Sequence, residues 1–101
     1  MAVFQPFNPS YGSNQTVTPG AASATITISA SAKNVRVFNS GAAKGYFRIY
    51  TAGDAVTTAS VADFCVGPGM SSTVTKGDGQ DRLAHISATG TTFEVMTGEG
   101  W

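Results

Sequence analysis

Along most of the chain, apolar and polar residues alternate in short runs, and glycine, proline, serine and asparagine interrupt them at close intervals. In SATITISA (23–30), Ala24, Ile26, Ile28 and Ala30 share one face, with Ser23, Thr25, Thr27 and Ser29 on the other. KNVRVFN (33–39) sets Val35 and Val37 against Arg36 and Phe38, and KGYFRIY (44–50) sets Phe47 and Ile49 against Tyr46, Arg48 and Tyr50. TTFEVMT (91–97) opposes Phe93 and Val95 to Thr92, Glu94 and Met96. A period of two is that of a half-buried strand, and valine, isoleucine and threonine favour a pleated backbone. The same reading makes strands of QTVTPG (15–20), SSTVTK (71–76) and DRLAHIS (81–87). VADFCV (61–66) reads as a buried strand leading into the turn GPG, and TTASVADF (57–64) is the only segment suited to a turn of helix.

Short strands spaced roughly ten residues apart predict an all-β domain, either a β-sandwich or a small barrel. The strand count suits a jelly roll, and an immunoglobulin-like order fits nearly as well, so topology stays open at this point. The expected core is Ile26, Ile28, Val35, Val37, Phe47, Ile49, Phe93 and Val95, with either Leu83 or Ile86. Ahead of the strands, AVFQPFNPSYGSN (2–14) follows no period. Its Phe4, Phe7 and Tyr11 are spaced by Pro6 and Pro9, and proline disfavours both helix and ladder. This divides the chain into an extended N-terminal arm over residues 1–14, contributing no strand, and a sandwich domain over 15–101. The three rings of the arm are expected to anchor on a neighbouring chain, and Trp101, after a glycine-rich GEG, is expected to pack on a partner too.

Composition narrows the function. Of 101 residues, 12% are charged against 42% hydrophobic, and the charged share is about half that of an ordinary soluble domain. Six basic and six acidic residues cancel without forming a patch, which argues against nucleic acid and against a membrane surface as partners. Low surface charge suits a protein held in an assembly. No signal peptide or apolar span is legible, and the one cysteine, Cys65, makes no internal disulfide, so a reducing cytoplasm is the expected site of synthesis. Asn14-Gln15-Thr16 then matches the glycosylation pattern by chance.

Candidate chemistry is sparse. KGDGQD (76–81) carries Asp78 and Asp81 but lacks the further ligands of a calcium loop, so a hairpin turn is expected rather than a metal site. Cys65, in the apolar run FCV, reads as an inert buried thiol, and His85 as facing solvent or a subunit boundary. The carboxylates are scattered, and neither an enzyme nor a cofactor is expected. Tyr46, Arg48 and Tyr50 share one strand face that suits a carbohydrate or peptide contact; cover by a loop, the arm or another subunit is the preferred alternative.

Taken together, the QPF-containing start, TPGAAS (18–23), VRVFNSGAAKGYFRIY (35–50) and TKGDGQDRLAHISATGTTFEVMTGEGW (75–101) resemble small virion proteins of tailed bacteriophages. The resemblance implies a capsid decoration or cement protein that binds the outer head surface and stabilises the shell. Its implied partners are the major capsid protein and copies of itself in a homo-oligomer, on a virion assembled in the host cytoplasm. The interface residues expected under that reading are Phe4, Phe7, Tyr11, Tyr46, Arg48, Tyr50 and Trp101. A neck, tail or fibre-associated part and a carbohydrate-binding or adhesion module are the other readings.

Overall fold

The computed structural model describes residues 8–54, 58–77 and 79–99. These residues form strands and no helix: β1 (Asn8–Pro9), β2 (Gln15–Val17), β3 (Ala24–Thr27), β4 (Asn34–Asn39), β5 (Gly45–Tyr50), β6 (Phe64–Val66), β7 (Ser71–Thr75), β8 (Arg82–Ile86) and β9 (Phe93–Glu99). Every run read as a strand from its alternation is one. Of TTASVADF, by contrast, residues 58–63 are bends, turns and irregular backbone, and Phe64 opens β6.

The strands make two antiparallel sheets. One has the order β2–β9–β4–β7, with β1 also on β9 beyond β2; the other has the order β3–β8–β5–β6. The pairing is nested, so that β2 meets β9, β3 meets β8, β4 meets β7 and β5 meets β6. Two further pairings, β4 with β9 and β5 with β8, complete the sheets. Strand alternation then sends one face of each sheet inward. Val35, Val37, Phe93 and Val95 from the first sheet meet Ile28, Phe47, Val66 and Leu83 from the second side in one core, with Val17, Ile26, Ile49 and Val74 packed at its margin. Each such side chain contributes about 1.5–3 kcal/mol when fully withdrawn from water. The ambiguity between Leu83 and Ile86 resolves by register. Leu83 faces this core, while Ile86 lies on the other face of β8 against a second cluster of Tyr50, Ala59 and Ala84.

Two glycines are required by geometry. Gly69 has φ +75° and follows Pro68, and the Met70 amide donates to Gly67 O at 3.1 Å, the signature of a type II turn between β6 and β7. Gly45 lets β5 approach β9: a Cβ there would lie 2.5 Å from the Phe93 ring. At the same end of the molecule, the fully buried Asn39 joins several segments. Its Nδ2 donates to Ala43 O and Val66 O, while its Oδ1 accepts from the Gly41 amide and the Thr91 hydroxyl.

Residues 8–14 differ from expectation, because they do contribute to a sheet. Asn8 and Pro9 pair with Glu99 and Gly98, and the Ser10 amide donates to Thr97 O at 2.9 Å. The Asn14 amide and the Thr16 hydroxyl both donate to Glu94 Oε1. The outer edge of β9 beyond β2 has backbone groups to satisfy, and this segment supplies partners for them. Proline hides the strand from a sequence reading because it cannot donate to a ladder, yet at a strand end it has no need to.

Candidate functional site

Tyr46, Arg48 and Tyr50 lie on the outer face of the second sheet, as alternation requires, but they do not form an open platform. Residues ahead of β6 cover part of that face, with Ala59 packed against Tyr50 and Ala84. Tyr50 is buried, and its hydroxyl lies 2.7 Å from that of Thr25, which in turn donates to Leu83 O. Ala59 is held by its amide donating to Ser23 Oγ. Arg48 donates through Nε and Nη2 to one oxygen of Asp63, at 3.0 and 2.7 Å. The other Asp63 oxygen accepts the Ser60 amide. The hydrogen bond from Arg48 holds the Asp63 carboxyl below the usual carboxylate range, against an opposing effect of burial. These groups fasten a loop to its sheet, the covered-face alternative of the sequence reading, and of the trio only Tyr46 and Arg48 keep partial exposure.

Two single residues of interest sit opposite to expectation. His85 is buried rather than solvent-facing, because it shares the inward parity of Leu83; it pairs with Ala24 of β3 and Phe47 of β5. Burial in these apolar surroundings lowers its pKa, and Nδ1 has no hydrogen-bond partner. Cys65 is exposed rather than buried, since β6 is an edge strand and Cys65 faces outward beside Tyr46. KGDGQD does not close the expected hairpin, because β7 and β8, which flank it, belong to different sheets; within it Gln80 Oε1 accepts the Gly77 amide at 2.7 Å and Asp81 pairs with Arg82 at 2.9 Å. Asp78 lies outside the described residues. Among the described residues, no three His, Cys, Asp or Glu side chains gather.

The surface that stands out is apolar. Val61, Phe64 and Met70 are 72%, 49% and 62% exposed, and all three belong to the segment that carries edge strand β6 and the turn into edge strand β7. Their backbone is fixed. Asp63 N donates to Ser60 O, which turns Val61 outward, and the Asn39 amide donates to Met70 O at 2.8 Å. Phe64 leans on Phe47 with ring centroids 5.3 Å apart, leaving the remainder of its ring to solvent. Sequence reading missed this rim because it took VADFCV for an interior strand; the signal available was its shortness between turn residues. Tyr11, at 88% exposure, is the other large exposed ring among the described residues. Phe4, Phe7 and Trp101 lie outside the described residues.

Comparison with family models, with curated proteins and with solved structures finds no match to this chain.

Proposed function

We propose that this chain is a structural protein of a tailed-bacteriophage virion, a decoration or cement protein that docks on the outer head surface. The observation that carries the reading is the rim of Val61, Phe64 and Met70, three apolar side chains held in water by a hydrogen-bonded backbone. Large apolar groups so fixed are a docking surface in wait of a partner, and aromatic and methionine side chains are enriched at interfaces.

Two further features support it. The nested strand order, β2–β9–β4–β7 facing β3–β8–β5–β6, is the order produced when one long hairpin is rolled into two sheets, and on that ground we assign a jelly-roll sandwich. Viral capsid domains use this architecture, although lectins do as well, so fold alone decides nothing. The low charge of the chain and the sequence resemblance to phage virion proteins complete the case. Its partners are then the major capsid protein and further copies of itself, and shell stabilisation comes from many weak contacts acting together. The test is to mix the purified protein with undecorated heads and image the particles. Regularly placed surface density is the expected result, and bare heads at saturating protein overturn the proposal.

A further inference from the structure

The edge strands of the two sheets differ in how their outer sides are finished. β2 and β6 are three residues each, and Val66 O of β6 is already taken by Asn39. Beside β3, the Ile28 amide is bonded to Asp81 O, and Gln15 Nε2 occupies Thr27 O. β7 has no such finish. It is five residues long, it ends its sheet beside β4, and its register on β4 runs without a bulge from Ser71 to Thr75. Along an antiparallel strand, alternate residues turn their backbone groups to the same neighbour. The Asn39 amide donates to Met70 O and the Lys76 amide to Lys33 O, so Met70, Ser72, Val74 and Lys76 turn theirs toward β4. Ser71, Thr73 and Thr75 therefore point N–H and C=O away from it, and among the described residues these groups have no partner. All three residues are exposed. An open edge is ordinarily blunted by a lysine, a proline or a bulge, and SSTVT has none of them.

We propose that β7 pairs with β7 of a second copy of this chain, antiparallel about a two-fold axis at Thr73, joining the two sheets into one. The strand is complementary to itself in that register. Thr73 faces Thr73 of the second copy and Ser71 faces Thr75, so outward-pointing groups meet their like and form about six hydrogen bonds between the chains. On the exposed face, opposed threonine and serine side chains are favourable cross-strand pairs, and on the other face Val74, at the core margin, meets Ser72. No charge opposes a like charge within the paired run, because the run carries none. Arg36 lies beside Thr73 on β4, so both β7 strands separate one guanidinium from the other. An extended segment of another protein would have to be ordered on binding, whereas a second β7 is already held in strand geometry by β4. The contact is isologous and closes at two copies. Met70 precedes the paired run, so the two apolar rims fall at opposite ends of the joined strands and stay open. The proposal gives a surface to the self-association in the reading above. It concerns the free protein and is tested without heads, so either can fail alone.

The experiment is analytical ultracentrifugation of the full chain from micromolar to millimolar concentration, with amide hydrogen exchange read by NMR at both ends of the range. A reductant keeps the exposed Cys65 from linking copies. The expected result is a reversible monomer–dimer equilibrium in which exchange slows most at the Ser71, Thr73 and Thr75 amides as concentration rises. Thr73→Lys sets two ammonium groups face to face at the axis. It should weaken the dimer by at least about tenfold, with a Tm close to wild type because the site is exposed. Mixing Thr73→Lys with Thr73→Glu should restore a dimer, which a variant that merely misfolds does not do. Val61→Lys, on the rim, should dimerise as wild type does. A monomer throughout, which would leave the edge to an extended segment of another protein, overturns the proposal. So does a dimer that persists in Thr73→Lys, one that is lost in Val61→Lys, slowed exchange centred on another surface, or a charge mixture that stays monomeric.

Discussion

The two lateral edges of this protein solve the same problem in different ways. Where β2 and β3 end the sheets, polar side chains close the gap: Gln15 reaches across to Thr27, Ser13 engages Thr97, and residues 8–10 extend the ladder along β9. Where β6 and β7 end them, the closure comes from below, through Asn39 bonds to Val66, Gly69 and Met70, and the outer side is left to Val61, Phe64 and Met70. An edge finished with polar groups has its hydrogen bonds met and can stay in water. An edge braced from inside is free to carry side chains that water does not favour. The comparison separates what stabilises the fold from what is available to a partner.

Asn39→Ala strikes the brace of the β6–β7 edge and carries the largest expected effect. It leaves the Gly41 amide, two carbonyls and the Thr91 hydroxyl without partners, and should cost about 2–4 kcal/mol in urea unfolding. A loss near zero would show that the brace is dispensable.

The next effect belongs to β8, which pairs with edge strand β3. The folded-state pKa of His85 lies below its ordinary 6.5 because the ring is buried. The unfolded chain therefore binds more protons over the interval between the two values, and stability falls as pH drops below 6.5 through the folded-state pKa. His85→Leu should flatten that part of the pH profile. An unchanged slope would assign the dependence to another group. At the β2–β3 edge, Gln15→Ala removes a single bridge and should cost about 0.5–1.5 kcal/mol. Smallest of all, Val61→Ser, at a side chain already in water, should stay within about 0.5 kcal/mol of wild type. A larger loss would mean that the rim supports the fold.

How far the sequence foretold these two edges depends on the range of the interaction. Alternation is local, so the inward faces of SATITISA, KNVRVFN, KGYFRIY and TTFEVMT were legible and supply Ile28, Val35, Phe47 and Phe93 to the core. The nested pairing of β2 with β9 and β3 with β8 joins segments far apart in the chain, and no local pattern records it. Which strands become edges follows from that pairing, and with it the exposure of Phe64 and Cys65. The burial of His85 was within reach, since a period of two places it on the face of Leu83, but its alternation with Ala84 and Ile86 puts it outside as soon as Ile86 is taken as the inward residue. Asn39 carried a fainter signal as an asparagine before Ser40-Gly41, a turn-forming sequence whose side chain satisfies backbone groups. Tyr50 shows the limit from the other direction: its face was read correctly, while the loop that covers it is a tertiary event.

The central claim is that the rim docks the protein and contributes little to its own folding. Its most direct measurement is the occupancy of undecorated heads by Val61→Lys/Met70→Lys, the two most exposed side chains of the rim, read by cryo-electron microscopy beside wild type, with the Tm of each free protein measured in parallel. The account predicts a Tm close to that of wild type and heads left largely bare by the variant, because two ammonium groups would have to be desolvated at the contact. A variant that keeps its Tm and decorates heads at wild-type occupancy would contradict it.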